Sequence, residues 1–161
     1  MKKYRLTNKT ITVTRNGKEV ILCQIEALRD FGDIKAGDLG GFVESEANLS
    51  HDGDCWVYNT AKVYGDAKIF GNALVYDNAE VSGFAEVHGC AKVSNNAEVY
   101  DNTDVYGNAW IFGNALVYDN AEVFGNAWVY GETEVFGNAW VFGSAVVYGM
   151  DKVCGDTELS T

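Results

Sequence analysis

The chain has 161 residues, 47% of them apolar, and 12 Lys and Arg against 23 Asp and Glu give a formal charge of -11. That length and apolar content suit one domain with a buried core, and disorder is not expected. The negative charge repels phosphate backbones, so direct nucleic-acid binding is disfavoured and basic protein surfaces are the expected partners.

The opening residues, Met1 to Thr10, carry lysines with no apolar segment behind them, and no stretch is long enough to cross a bilayer. A cytoplasmic protein without membrane association is expected. Cys23, Cys55, Cys90 and Cys154 lie far apart without CxxC spacing, which predicts free thiols and no zinc site. Next, two apolar runs, Ile11 to Val13 and Val20 to Ile25, flank Arg15, Asn16, Gly17 and Lys18, a type I′ hairpin signal. This hairpin is expected to cap an open coil end. Phe31 to Val43 reads as an irregular lead-in, so residues 1–46 are assigned to the cap and lead-in and 47–161 to a repeating segment.

From Val57 onward an aliphatic residue recurs every sixth position without interruption: Val57, Val63, Ile69, Val75, Val81 and so on to Val153 and Leu159. Two residues before each stands a small residue, usually alanine, with Thr103 and Thr133 as variants and Asp151 as the one poor fit. Positions two apart share a face of an extended segment, so alanine and valine point inward together. The remaining two positions turn the chain. The first is nearly always Gly, Asn or Asp, the types that tolerate positive φ; the second is usually Asn, as in Asn72, Asn78, Asn96 and Asn108, which predicts stacked amide ladders. A short strand plus a two-residue corner, repeated unchanged, predicts an all-β parallel coil. Ile69–Val81 and Ile111–Val123 are identical, offset by seven hexads.

The hexad Val-Tyr-Gly-Asn-Ala-Trp resembles the repeat of the hexapeptide, left-handed β-helix superfamily. The resemblance implies a single-stranded left-handed parallel β-helix, a triangular prism with 18 residues per coil, and about six coils. Leu39 to Val43, Leu49-Ser50 and Gly53 to Trp56 further resemble the head of a group of phage, prophage and enterobacterial hexapeptide proteins labelled transferases or polymer-forming proteins. The superfamily is best known for trimeric acyltransferases, which implies a histidine general base near a subunit interface and acyl-CoA binding along the prism.

The residues themselves offer little for catalysis. His88 follows Val87 in an outward slot that elsewhere holds tyrosine or phenylalanine, and His51 sits in the Ser50-His51-Asp52 corner; these are the two weak catalytic candidates. No loop interrupts the repeat to enclose substrate, and no cofactor or metal is expected. Sorting the outward slot before each valine by 18-residue spacing places Trp56, Leu74, Lys92, Trp110, Trp128 and Val146 in one column, beside Tyr58, Tyr76, Ser94, Phe112, Tyr130 and Tyr148. Glu80, Glu86, Glu98, Asp104, Glu122, Glu134 and Glu158 fall on the other two faces. An apolar face of that extent predicts a homo-oligomer, dimer or trimer, and the acidic faces predict binding to another protein, in the phage context a nucleic-acid-binding host protein held by carboxylates in place of phosphates. The other readings are an acyl-CoA-dependent acyltransferase and a self-assembling fibre block. Ser82, His88 and Ser94 interrupt the run of aromatic slots over one coil, which reads either as a shallow groove or as plain variation.

Overall fold

In the computed structural model, which describes residues 1–161, the chain begins with a long hairpin of β1 (Tyr4–Arg15) and β2 (Lys18–Ala27). Asn16 and Gly17 both adopt positive φ at its tip, as a type I′ turn requires. β3 (Leu39–Val43) then pairs antiparallel with β2 on one edge and parallel with Lys62–Val63 on the other. Parallel pairing therefore begins at Phe42, inside the segment that the sequence assigns to the cap and lead-in. A single 3-10 turn, Glu46–Asn48, comes after β3, and the Asn48 amide donates to the carbonyls of Gly65 and Ala67 in the next coil.

Eighteen short strands come next, from Trp56–Val57 (β4) to Glu158–Ser160 (β21), and stack into three sheets. Every parallel partner is eighteen residues away between β4 and β21, as in Val75 with Val93 and Ile111 with Val129. The protein is thus a parallel β-solenoid with coils of 18 residues. Two sheets have six strands and the third has nine, because the hairpin and β3 extend it. Its outward column is Lys62, Glu80, Glu98, Leu116, Glu134, Lys152, here called the hairpin face. The tryptophan face carries Trp56, Leu74, Lys92, Trp110, Trp128 and Val146. The acidic face carries Lys68, Glu86, Asp104, Glu122, Trp140 and Glu158.

Inward valines, isoleucines and alanines from Val57 to Val141 form one continuous buried core. The small partner of each pair leaves room for the branched one across a narrow prism, which keeps the axis dry. Thr103 substitutes for alanine by donating its hydroxyl to the Tyr100 carbonyl at 2.6 Å, whereas the Thr133 hydroxyl is buried without a partner. Asp151, the poor fit, lies in the exposed last coil.

Corners obey the same spacing. The second corner residue donates its N–H to the first corner residue of the next coil, as Asn108 does to the Gly125 carbonyl at 2.7 Å. Above these bonds run amide ladders, Asn78 to Asn96 to Asn114 and Asn102 to Asn120 to Asn138. At three of the positive-φ slots held by Asn or Asp the side chain accepts a backbone N–H from the next coil: Asp77 from Asn95, Asn95 from Gly113 and Asp119 from Gly137. Gly107 sits in that slot at φ 72, and a Cβ there would meet the Gly125 N and O at 2.9 Å. Gly107→Ala is expected to cost about 2 kcal/mol or more, Gly107→Asn distinctly less, and Gly149→Ala, with open space around it, about 1 kcal/mol from backbone conformation alone. Urea midpoints of the three variants check this order.

The hairpin does more than cap. Tyr4, Ile25, Ala27, Phe31 and Ile34 join the core cluster at the first coil. Further along, Leu22 packs with Phe42 and Tyr64, flanked by Ile11, Val13 and Val20, in a separate cluster outside the hairpin face. The distal half of the hairpin therefore lies along the outer surface of the solenoid, because its second apolar side needs cover of its own.

Candidate functional site

The surface is built from columns, so each side chain is positioned by the residues eighteen before and after it. Slots after the valines hold aromatic rings in stacks. Phe70, His88, Tyr106, Phe124 and Phe142 form one stack, with centroid separations of 4.6, 5.2, 4.9 and 5.1 Å in turn. Tyr100, Tyr118 and Phe136 form a second, at 5.2 and 5.0 Å. These near-parallel rings cover the corners and partly shield the strands beneath.

His88 keeps its outward slot but is only partly exposed. Its ring is clamped between Phe70 and Tyr106, and Nε2 lies 2.9 Å from Asp104 Oδ1. The same step, sixteen residues along, joins the tyrosine hydroxyls of Tyr64, Tyr106 and Tyr118 to Glu80, Glu122 and Glu134. Histidine here occupies a tyrosine slot and keeps the tyrosine's acidic partner. Partial burial pushes the Asp104 carboxyl above its ordinary range, with His88 opposing the shift.

His51, expected in a loop corner, is a structural pin. Its ring stacks on Tyr4 at 4.4 Å, and Nδ1 accepts the Lys3 backbone N–H at 3.1 Å. Nε2 is buried without a hydrogen bond, 3.6 Å from Glu46. Beside it lies a group that sequence reasoning missed: Lys3 is fully buried, and its ammonium donates to the Cys55 carbonyl at 2.8 Å, to Cys55 Sγ at 3.3 Å and to the Gly53 carbonyl at 3.3 Å. Burial lowers the Lys3 pKa and raises that of Cys55. No sequence signal marks Lys3, since a lysine near a terminus is ordinarily solvated.

The acidic columns are less free than their composition suggests. Lysines one coil away reach Glu80, Glu86 and Glu134, from Lys62, Lys68 and Lys152 respectively. The Lys152 ammonium and the Tyr118 hydroxyl hold the Glu134 carboxyl below its usual range, while burial and Glu134 push Tyr118 up to about 12. Glu98 and Glu122 have no lysine partner. No group of three or more His, Cys, Asp or Glu side chains converges as a metal site, and all four cysteines are free thiols.

The tryptophan face also differs from its sequence reading. Trp56 has 0% exposure, covered by Phe31 and Tyr4 at 5.2 and 6.2 Å between ring centroids, so it is withdrawn from the expected interface column. Tyr58 and Leu74 pack partly against the core, Tyr76 is partly buried, and Lys92 interrupts the column. Trp110, Phe112 and Tyr130 are half-buried, and the open apolar surface is carried by Trp128, Val146 and Tyr148 at 45%, 51% and 58% exposure. On the acidic face Trp140 is exposed as well.

The interrupted coil does not form one continuous groove, although an open cavity lies at Ser82. His88 stays in its stack, Ser94 is roofed by the Trp110 indole, which donates to its hydroxyl at 3.0 Å, and Ser82 is covered from the hairpin by Arg15. Three open surface cavities exist, two beside the hairpin tip and one beneath the Glu46–Asn48 turn, and neither histidine lines any of them. No helix is long and apolar enough to cross a membrane.

No protein-family model matches the chain. Over 63 residues, 37% of the chain, it is 40% identical to an uncharacterised acetyltransferase, YdcK, of Escherichia coli (strain K12). Together with the 18-residue coils, that similarity decides the class. The chain is a hexapeptide-repeat β-helix protein. It matches only 19% of the length of that relative, so the likeness concerns the repeat.

Proposed function

We infer that this hexapeptide-repeat β-helix is a non-enzymatic binding module that self-associates through its tryptophan face and presents carboxylates to a basic protein partner. The observation that carries the reading is the exposed run of Trp128, Val146 and Tyr148 on one face of a prism whose cavities contain no histidine. Exposed tryptophan and tyrosine beside half-buried Trp110 and Phe112 are interface chemistry. Dimers or trimers both use such a face. Trp128→Glu with Tyr148→Glu is expected to convert an oligomer to a monomer in sedimentation velocity without loss of the β signal in circular dichroism. A wild-type chain that sediments as a monomer at all concentrations overturns the self-association. For the acidic surface, Glu98→Lys with Glu122→Lys inverts two carboxylates that have neither a lysine nor a histidine partner. Every partner captured by the wild type from a cell extract, such as the nucleic-acid-binding host protein that the charge suggests, is expected to be lost; full retention refutes the role of these carboxylates.

Acyl transfer is the second reading, supported by the name of the E. coli relative and by the paired His88 and Asp104. An imidazole held by a carboxylate suits a general base. It stands against a ring whose two faces are covered by Phe70 and Tyr106, with no cavity alongside. Calorimetric titration with acetyl-CoA separates the two readings: the binding-module reading expects no heat, and saturable heat lost in His88→Ala supports the transferase.

A further inference from the structure

The ring stack on the hairpin face has one vacancy. Tyr64 and Tyr100 are thirty-six residues apart in the chain, two coils, and the slot between them, which an aromatic residue would fill by the pattern of the repeat, holds Ser82. Into this space the hairpin tip inserts the guanidinium of Arg15, with its carbon 5.8 Å from the Tyr64 ring centroid and 5.6 Å from that of Tyr100. One Arg15 nitrogen donates to the Ser82 hydroxyl, and another lies 3.7 Å from Asp101. The surrounding cavity is walled by Glu80 and Glu98 together with Thr14 and Asn16 of the tip. Glu80 is already bonded by Lys62 and Tyr64, whereas Glu98 has no partner.

This is the geometry that selects a planar, delocalised cation. The Arg15 guanidinium lies over both neighbouring rings, while a hydroxyl and a carboxylate meet its edge; a planar, delocalised cation suits two facing rings better than a compact ammonium, which is drawn to one face but lacks the flat fork. The geometry points to an arginine-binding slot at Ser82, occupied in cis by Arg15 and open to an arginine side chain of a partner protein when the hairpin tip lifts. Beyond the Leu22, Phe42 and Tyr64 cluster, the residues Asn16, Gly17 and Lys18 are exposed, and Arg15 fastens the turn to the solenoid. The site goes beyond the binding-module reading, because it assigns a ligand chemistry to one place on the hairpin face and makes the hairpin its competitor.

The test uses the full chain with N-acetyl-argininamide as the probe, followed through the ring resonances of Tyr64 and Tyr100. Arg15→Ala is expected to bind the probe saturably, with wild type weaker by about tenfold, because the resident side chain must first be displaced. Adding Ser82→Tyr to Arg15→Ala refills the vacancy and is expected to abolish binding. N-acetyl-lysinamide is expected to bind more weakly, as read from the same resonances. Absence of probe binding to Arg15→Ala, equal binding of the lysine probe, or binding undiminished by Ser82→Tyr each overturns the slot. Arg15→Gln, which keeps the polarity of the tip, serves in place of Arg15→Ala if the alanine chain fails to fold. None of these outcomes bears on the self-association test at Trp128 and Tyr148, so the two readings fail separately.

Discussion

Replacing Val99 by aspartate is expected to remove the cooperative unfolding transition altogether. Val99 is fully buried near the middle of the stack, with Val81 above it and Val117 below on the same inward column. The substitution forfeits about 2 kcal/mol of apolar burial and adds several kcal/mol for a carboxylate with no donor within the dry prism. Against a total stability on the order of 5–15 kcal/mol, that sum leaves little. Because each coil touches only its neighbours, the damage also divides the solenoid into two shorter stacks. Val99→Ala, which leaves a small hole and no charge, is expected to cost about 2 kcal/mol and retain a sigmoidal urea curve. Urea melts followed by circular dichroism distinguish the three chains, and a wild-type-like curve for Val99→Asp contradicts an inward Val99.

Trp56→Ala is the second large effect, with an expected loss of about 3–5 kcal/mol. The indole fills the junction where Tyr4 and Phe31 close over the first coil, and its removal opens a cavity beneath them. The same loss frees the strand that buries Lys3, so hydrogen exchange at Tyr4 and His51 is expected to rise more than at Val123, far down the stack. Trp56→Phe sharpens the test. The Trp56 Nε1 hydrogen is buried without an acceptor, so phenylalanine gives up volume but removes an unsatisfied donor, and a loss below about 1.5 kcal/mol is expected.

These two positions mark how far the sequence reading extends. Val99 is legible because its environment is set by a local period: each inward valine, each positive-φ corner and each asparagine column arises from residues six and eighteen apart, and the structure places them accordingly. Trp56 belongs to the same period and reads as surface, because what covers it comes from Tyr4 and Phe31, which obey no repeat. Lys3 and His51 are obscured for the same reason. Ser82 stands out as an irregularity, yet its meaning depends on Arg15, sixty-seven residues earlier, whose hairpin is recognisable while its path along the outer surface is not. Pairings between an aperiodic segment and a periodic one leave no spacing to count. The acidic columns fail more mildly: composition gives their sign, but the lysines and tyrosine hydroxyls that reach Glu80 and Glu134 depend on side-chain direction across coils.

The identical segments Ile69–Val81 and Ile111–Val123 begin on different faces, the first on the acidic face and the second on the tryptophan face. The core is therefore indifferent to which side of the triangle a hexad occupies, whereas the exterior is not. Gain or loss of six residues would leave every valine correctly seated while swinging everything downstream by about a third of a turn, so that Trp128 and Tyr148 would change sides relative to the hairpin. Only changes of eighteen conserve the external pattern. Slippage of a short unit can thus rearrange the exterior while leaving the interior packing intact.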